Sequence, residues 1–198
     1  MVTAAEQGQL TRVRLMDAAA ELIAERGWGA VTTRLVAERA GLQPGLVHYH
    51  FSSVTDLLID SSLRAAQATV AQILGPALTP PGTDSLGRLV EAGAGFGTGP
   101  GHSGAVFIEM LLAARRHERL RSALAGMLRE ARGAIGQLVA EAAPGADGAA
   151  TAEVLMAALD GLLLHRLLDP ATSGLAVAEP LRRLAGISEN RPSGRSNR

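Results

Sequence analysis

The chain has no cysteine and no lysine, and its aromatic residues are one Trp, one Tyr and three Phe in 198 residues. Without cysteine there can be no disulfide and no thiolate metal site, which fits a reducing compartment and predicts a cytoplasmic protein. Without lysine, all nineteen basic residues are arginine, which we read as compositional bias. Hydrophobic residues still make up 47% of the chain, so the shortage of aromatics favours helices rich in Ala and Leu over a sheet. Net charge is absent too: nineteen basic residues balance nineteen acidic ones. No stretch reaches the roughly 18 uncharged apolar residues a bilayer crossing needs. The N-terminus lacks the basic region and apolar core of a signal peptide, and no membrane partner is expected. The length suffices for a substantial core in one or two domains.

The informative segment is residues 32–51, which reads as two short helices joined by a tight turn. Thr32 or Thr33 supplies a hydroxyl to cap the first helix. Val36 and Ala40, with Leu35 beside them, give that helix an apolar face about two turns long. Gly41 stands where the chain must reverse, and glycine tolerates the left-handed conformation a reversal needs. Leu42 plugs the core, and Pro44 suits a first helical turn because its missing amide would have no partner there. Val47 and Phe51, four apart, face inward. Gly45, Leu46, His48, Tyr49 and His50 are left on outer faces. That set is odd for solvent but sensible for the major groove of DNA.

Residues 11–58 as a whole resemble the N-terminal domain of the TetR family of bacterial transcriptional regulators. The resemblance rests on Arg14-Leu15-Met16-Asp17-Ala18-Ala19, then Leu22-Ile23-Ala24-Glu25-Arg26-Gly27-Trp28, the helix-turn-helix, and Val47-His48-Tyr49-His50-Phe51. Ser52-Ser53-Val54-Thr55-Asp56-Leu57-Leu58 then continues as the family's fourth helix does. It implies DNA contacts from Thr33, Arg34, Gln43, Pro44, Gly45, Leu46, His48, Tyr49 and His50. Arg34 and Gln43 reach a base edge or phosphate, Leu46 a thymine methyl and His48 a base edge, while Tyr49 and His50 clamp phosphate. Two positions depart from the family pattern. Val54 replaces the usual Lys at the start of the fourth helix, and Gln43 replaces the usual Ser or Thr cap. Residues 1–55 also balance five arginines against five acids. Arg12, Arg14 and Arg34, near expected helix starts, are the phosphate candidates. A head so equipped predicts a shallow salt dependence per half-site and affinity gained by pairing.

Helical periodicity continues beyond the head. One long helix covers residues 54–74 and ends near Gly75-Pro76, followed by a loop at Thr79-Pro80-Pro81-Gly82-Thr83. Further helices run from Asp84 or Ser85 to about Ala94, over 103–115, and over a long amphipathic stretch from about Leu120 to Leu138. Two more cover about 150–168 and 176–186. The expected architecture is all-α, about nine helices: a three-helix helix-turn-helix head (residues 10–53) and a larger ligand-binding and dimerisation body (54–187). Residues 1–9 and the polar tail 188–198 are expected to be disordered.

The resemblance further implies a homodimer and a small-molecule effector. Leu155, Leu159, Leu162, Leu163, Val177, Leu181 and Leu184 on the last two helices are the interface candidates. Phe96, Phe107, Met110, Leu111, Met127 and Met156 are the candidate pocket lining, with Glu109, Arg132 or His165 as polar anchors. Catalytic and metal constellations are not evident. His48 and His50 diverge by roughly 200° on a helix, and His102, His117 and His165 lack ligand spacing. Gly93-Ala94-Gly95-Phe96-Gly97 lacks the Gly-Lys-Ser/Thr ending of a phosphate loop. No cofactor, no metal and no enzymatic activity are expected. The reading is a homodimeric regulator, most often a repressor in such proteins, on a palindromic double-stranded operator, responsive to a largely apolar ligand. A helical small-molecule-binding or scaffold protein without sequence-specific DNA binding is the alternative.

Overall fold

Helix α1 (Ala4–Arg26) begins well inside the segment expected to be disordered. The cause is a capping box: the Thr3 hydroxyl accepts from the Glu6 amide at 3.2 Å, and the Glu6 carboxylate accepts from the Thr3 amide at 2.6 Å. Thr3-Ala4-Ala5-Glu6 carries that signature, and two satisfied end amides are enough to extend the helix by a turn and a half. The computed structural model describes residues 3–79, 84–98 and 103–187, so His102 and the tail 188–198 lie outside the described residues.

After α1 a 3-10 turn at Trp28–Ala30 leads to α2 (Thr33–Ala40), α3 (Pro44–His50) and α4 (Val54–Leu78). The body follows with α5 (Ser85–Gly95), α6 (Ser103–Ala114), α7 (Glu118–Ala142), α8 (Gly148–Leu168) and α9 (Ala178–Leu184), with a second 3-10 turn at Pro170–Gly174. No strand occurs among the described residues, and the nine helices found there match the all-α expectation.

Helix α4 runs four residues past its expected end, through Pro76 to Leu78. Proline removes one amide from the ladder, but the neighbouring carbonyls stay occupied. The Thr79 amide bonds to the Gly75 carbonyl at 3.1 Å, and Arg88 donates to the Pro76 carbonyl at 2.7 Å. Leu74 and Ala77, both buried, hold the last turn in the core.

Three apolar clusters succeed one another along α4. Leu57 and Leu58 close the head core with Leu15, Leu22, Ile23, Val36, Val47 and Phe51. Ile59 and Ala66 join Met110, Leu120 and Leu124 at the junction of head and body. Leu74 and Ala77 belong to the body core with Leu89, Val90, Ile135, Val139 and Leu155. A head boundary at residue 53 therefore cuts through the head's own core, which needs the first turns of α4. Within the body, α7 and α8 meet at paired glycines. A Cβ on Gly148 would lie 2.4 Å from the Gly136 carbonyl oxygen, so the crossing is tight enough to need glycine there.

Candidate nucleic-acid interface

Local chemistry sets the α2–α3 reversal. Thr32 occupies the cap position of α2, its hydroxyl accepting from the Leu35 amide at 3.4 Å. Gly41 adopts φ 63, in the left-handed region, and the Leu42 amide returns to the Ala37 carbonyl at 2.9 Å. Pro44 opens α3, while Gln43 at its cap makes no side-chain hydrogen bond, as its departure from Ser or Thr implies. Val47 and Phe51 are buried and anchor α3 to α1 and α2.

That anchoring leaves the candidate contact residues outward. Arg34, Gln43, Pro44, Gly45, His48 and Tyr49 are exposed, and Thr33, Leu46 and His50 are half-buried. Tyr49 is 80% exposed, which excludes packing against α4, and its ring meets only the edge of His50 at 5.0 Å between centroids. A Cβ at Gly45 would meet nothing within 4 Å, so the backbone there is open to close approach.

The arginines are less available than their sequence positions imply. Because α1 starts at Ala4, Arg12 is in mid-helix rather than at a start. Its guanidinium donates to the His50 carbonyl at 2.8 Å, pairs with Asp60 and lies 4.2 Å over the Phe51 ring. Arg14 donates to the Ala40 carbonyl at 2.8 Å, closing the end of α2. Arg39 is held by Glu25 and Glu21, which raise its already high pKa. Arg34, in the first turn of α2, makes no ion pair among the described residues and remains the phosphate candidate of the head.

The expected pocket residues are spread over separate apolar clusters. Met110, with Phe107 and Met127 against it, belongs to the junction cluster, and Met156 packs on the body core. Phe96 is buried at the end of α5, and Leu111 is exposed. Of the expected anchors, Arg132 pairs with Glu153 and His165 is exposed, while Glu109 accepts from the Trp28 amide at 2.8 Å. A cavity of about 450 Å³ lies between head and body and takes in the expected anchor Glu109, with Trp28, Gly29, Leu112, Ala113, Arg115, Arg116 and His117. Trp28 and His117 stack there with centroids 5.6 Å apart. Sequence reasoning also passed over Arg166, the one charged side chain buried among the described residues. It donates to the Phe96 carbonyl at 2.7 Å, a cation at the C-terminal end of α5.

The interface candidates divide. Leu155, Leu163 and Leu181 are buried within this chain, and Leu159, Leu162 and Val177 are half-buried, while Leu184 is exposed. The α8 leucines expected at an interface thus lie largely on its inner face. Turned directly away from the core, Val154, Ala157, Leu164 and Leu168 follow one another along the helix with Gly161 between them, and Leu168 is 77% exposed. By length and composition α8 is apolar enough to cross a membrane, although little of it is buried in this chain. Glu153, Asp160 and Arg166 interrupt the run.

Known proteins share both parts of this chain. The family model for bacterial regulatory proteins of the tetR family matches residues 15–60, and a tetracyclin repressor-like C-terminal domain matches residues 81–187. The HTH-type transcriptional regulator BetI of Agrobacterium fabrum is 29% identical over 179 residues, covering 87% of this chain and 84% of that protein. A solved TetR-family member from Streptomyces coelicolor A3 is 30% identical with a TM-score of 0.70, over 88% of this chain and 97% of its own. The multidrug binding protein EbrR, solved with proflavin, is 31% identical with a TM-score of 0.61, over 88% of this chain and 99% of its own. With a helix-turn-helix head and a helical body both matched, in that order along the sequence, the chain belongs to the TetR family of bacterial transcriptional regulators.

Proposed function

We propose that the protein is a homodimeric repressor whose paired α3 helices read a palindromic operator, with DNA affinity modulated by a small, largely apolar ligand. The observation that carries this is the outward set on α2 and α3. Arg34, Gln43, Gly45, His48 and Tyr49 are exposed, while Val47 and Phe51 fix the helix beneath them. Polar and aromatic tips on a short, rigidly seated helix are what base-edge and phosphate contacts require.

Dimerisation is supported by the outer face of α8. Val154, Leu164 and Leu168 are more apolar than solvent favours, and Ala157 and Gly161 allow a second helix to approach closely. Leu175 and Leu184 extend the exposed apolar surface. Pairing across a two-fold axis would place two heads on successive major grooves. An effector acts only through unequal affinity for the DNA-binding and released states. The relative solved with proflavin supports a small-molecule effector, and the cavity between head and body is a candidate place for one because both parts line it.

Replacing Tyr49 and His50 together with Ala tests the reading. Tyr49 is exposed and His50 only half-buried, so helicity stays unchanged. Retention of promoter DNA falls about tenfold or more, because each subunit gives up two phosphate clamps. Unchanged retention overturns the assignment of α3.

A further inference from the structure

A chain of charged groups joins the end of α3 to the body. Arg12 on α1 donates from Nη1 to the His50 carbonyl at 2.8 Å, lies over Phe51, and turns Nη2 to the Asp60 carboxylate on α4. The other Asp60 oxygen accepts from Arg119 Nη2 at 2.5 Å. Arg119 stands in the first turn of α7, and its Nη1 reaches Asp56 at 3.4 Å. His50 ends α3, so its carbonyl is one of the acceptors a helix C-terminus leaves without an internal partner. A guanidinium there satisfies that acceptor and complements the negative end of the helix.

We propose that Arg119, a body residue, is a positioning residue for operator recognition, acting through Asp60 and Arg12 on the C-terminal end of α3. The assignment rests on α3 being the DNA-reading helix. Asp60 is the pivot: it holds one arginine from the head and one from the body, one on each oxygen. The planar fork of Arg12 spends its two ends on the His50 carbonyl and on Asp60, so its direction is fixed by both. When α7 withdraws Arg119, Asp60 loses one of its two partners, Arg12 loses a fixed anchor, and the His50 end of α3 loosens. Tyr49 and His50, on that last turn, are the side chains whose aim changes. Arg12 is therefore a strut within the head and not a phosphate ligand, although its sequence position near the N-terminus suggests the latter.

The experiment titrates full-length protein into a labelled DNA fragment carrying the inverted repeat recovered by binding selection, from about 50 to 300 mM salt, the range over which phosphate contacts are read. The proteins are the parent, Arg119→Ala, Arg12→Ala, the double variant, and Arg121→Ala as a control whose side chain pairs with Glu118 on its own helix. Expected is an affinity loss of about fivefold for Arg119→Ala, the upper end of what one largely exposed ion pair supplies, at an unchanged salt slope, with Arg121→Ala like the parent. The double variant is no weaker than Arg12→Ala, because both changes cut one path. An unchanged affinity for Arg119→Ala overturns the proposal, as does a strictly additive double variant. A salt slope reduced in Arg12→Ala by about one phosphate per head makes Arg12 a phosphate ligand and overturns it equally. Amide hydrogen exchange of free protein supplies a readout that needs no DNA. Residues 47–51 exchange faster in Arg119→Ala, and identical exchange contradicts the coupling even if the operator reading itself fails.

Discussion

Asp160 shows how much one side chain depends on what surrounds it. It lies at the edge of the outer α8 face, where partial loss of hydration and, secondarily, the charge of Glu153 push its carboxyl above the ordinary range. A carboxyl raised in the folded state favours folding most when protonated. Its contribution is complete below the unfolded value of about 3.9 and is lost as pH rises through the folded value. Asp160→Asn should therefore raise the melting temperature at neutral pH, by an amount that shrinks as the pH falls toward the unfolded value. A variant less stable at neutral pH contradicts that account. Residue roles were legible in the sequence where local rules decide them. Gly41 had to turn, Pro44 had to start a helix, and Val47 and Phe51 had to face inward at a spacing of four. Arg12 was not legible, because its partners, Asp60 and the His50 carbonyl, are 48 and 38 residues away. Neither distance leaves a trace in local pattern.

Among the elements, α8 separates what periodicity can and cannot show. Its existence and approximate ends follow from composition, and the structure places Asp147 at its start, the side chain accepting from the Ala150 amide at 3.0 Å. Which side faces the core does not follow, because the helix is apolar on two opposite faces. Leu155 and Leu163 are buried, while their chain neighbours Val154 and Leu164 are exposed. The amphipathic rule assumes one wet, polar face, and a helix apolar on both gives it no contrast. The outer face makes its own prediction. Leu164→Glu places a charge on the proposed seam but not in the subunit core. Light scattering at micromolar concentration should then change from dimer to monomer mass with helicity retained. A dimer of parental affinity would remove α8 from the interface. Helix α1 gives the opposite lesson, since Thr3 and Glu6 announced its start and composition alone argued for disorder.

For the molecule as a whole, three apolar clusters strung along α4 make head and body mechanically continuous. Trp28 sits at the meeting point, packed on both the head and junction clusters and bonded through its amide to Glu109 of α6. Head orientation is thus tied to the body by apolar packing, by the Trp28–Glu109 bond and by the Arg119–Asp60–Arg12 chain. The head itself spends most of its arginines internally, so the proposed DNA contacts fall to Arg34 and the polar tips of α3. The proposed pairing of two such heads would supply the missing affinity. Selection of bound fragments from total genomic DNA, run in parallel with the Tyr49→Ala, His50→Ala double variant, tests this most directly. Enrichment by the parent alone of an inverted repeat with half-sites roughly 34 Å apart, or a multiple of one helical turn, is expected. Fragments without an inverted repeat, or equal enrichment by the double variant, would contradict it.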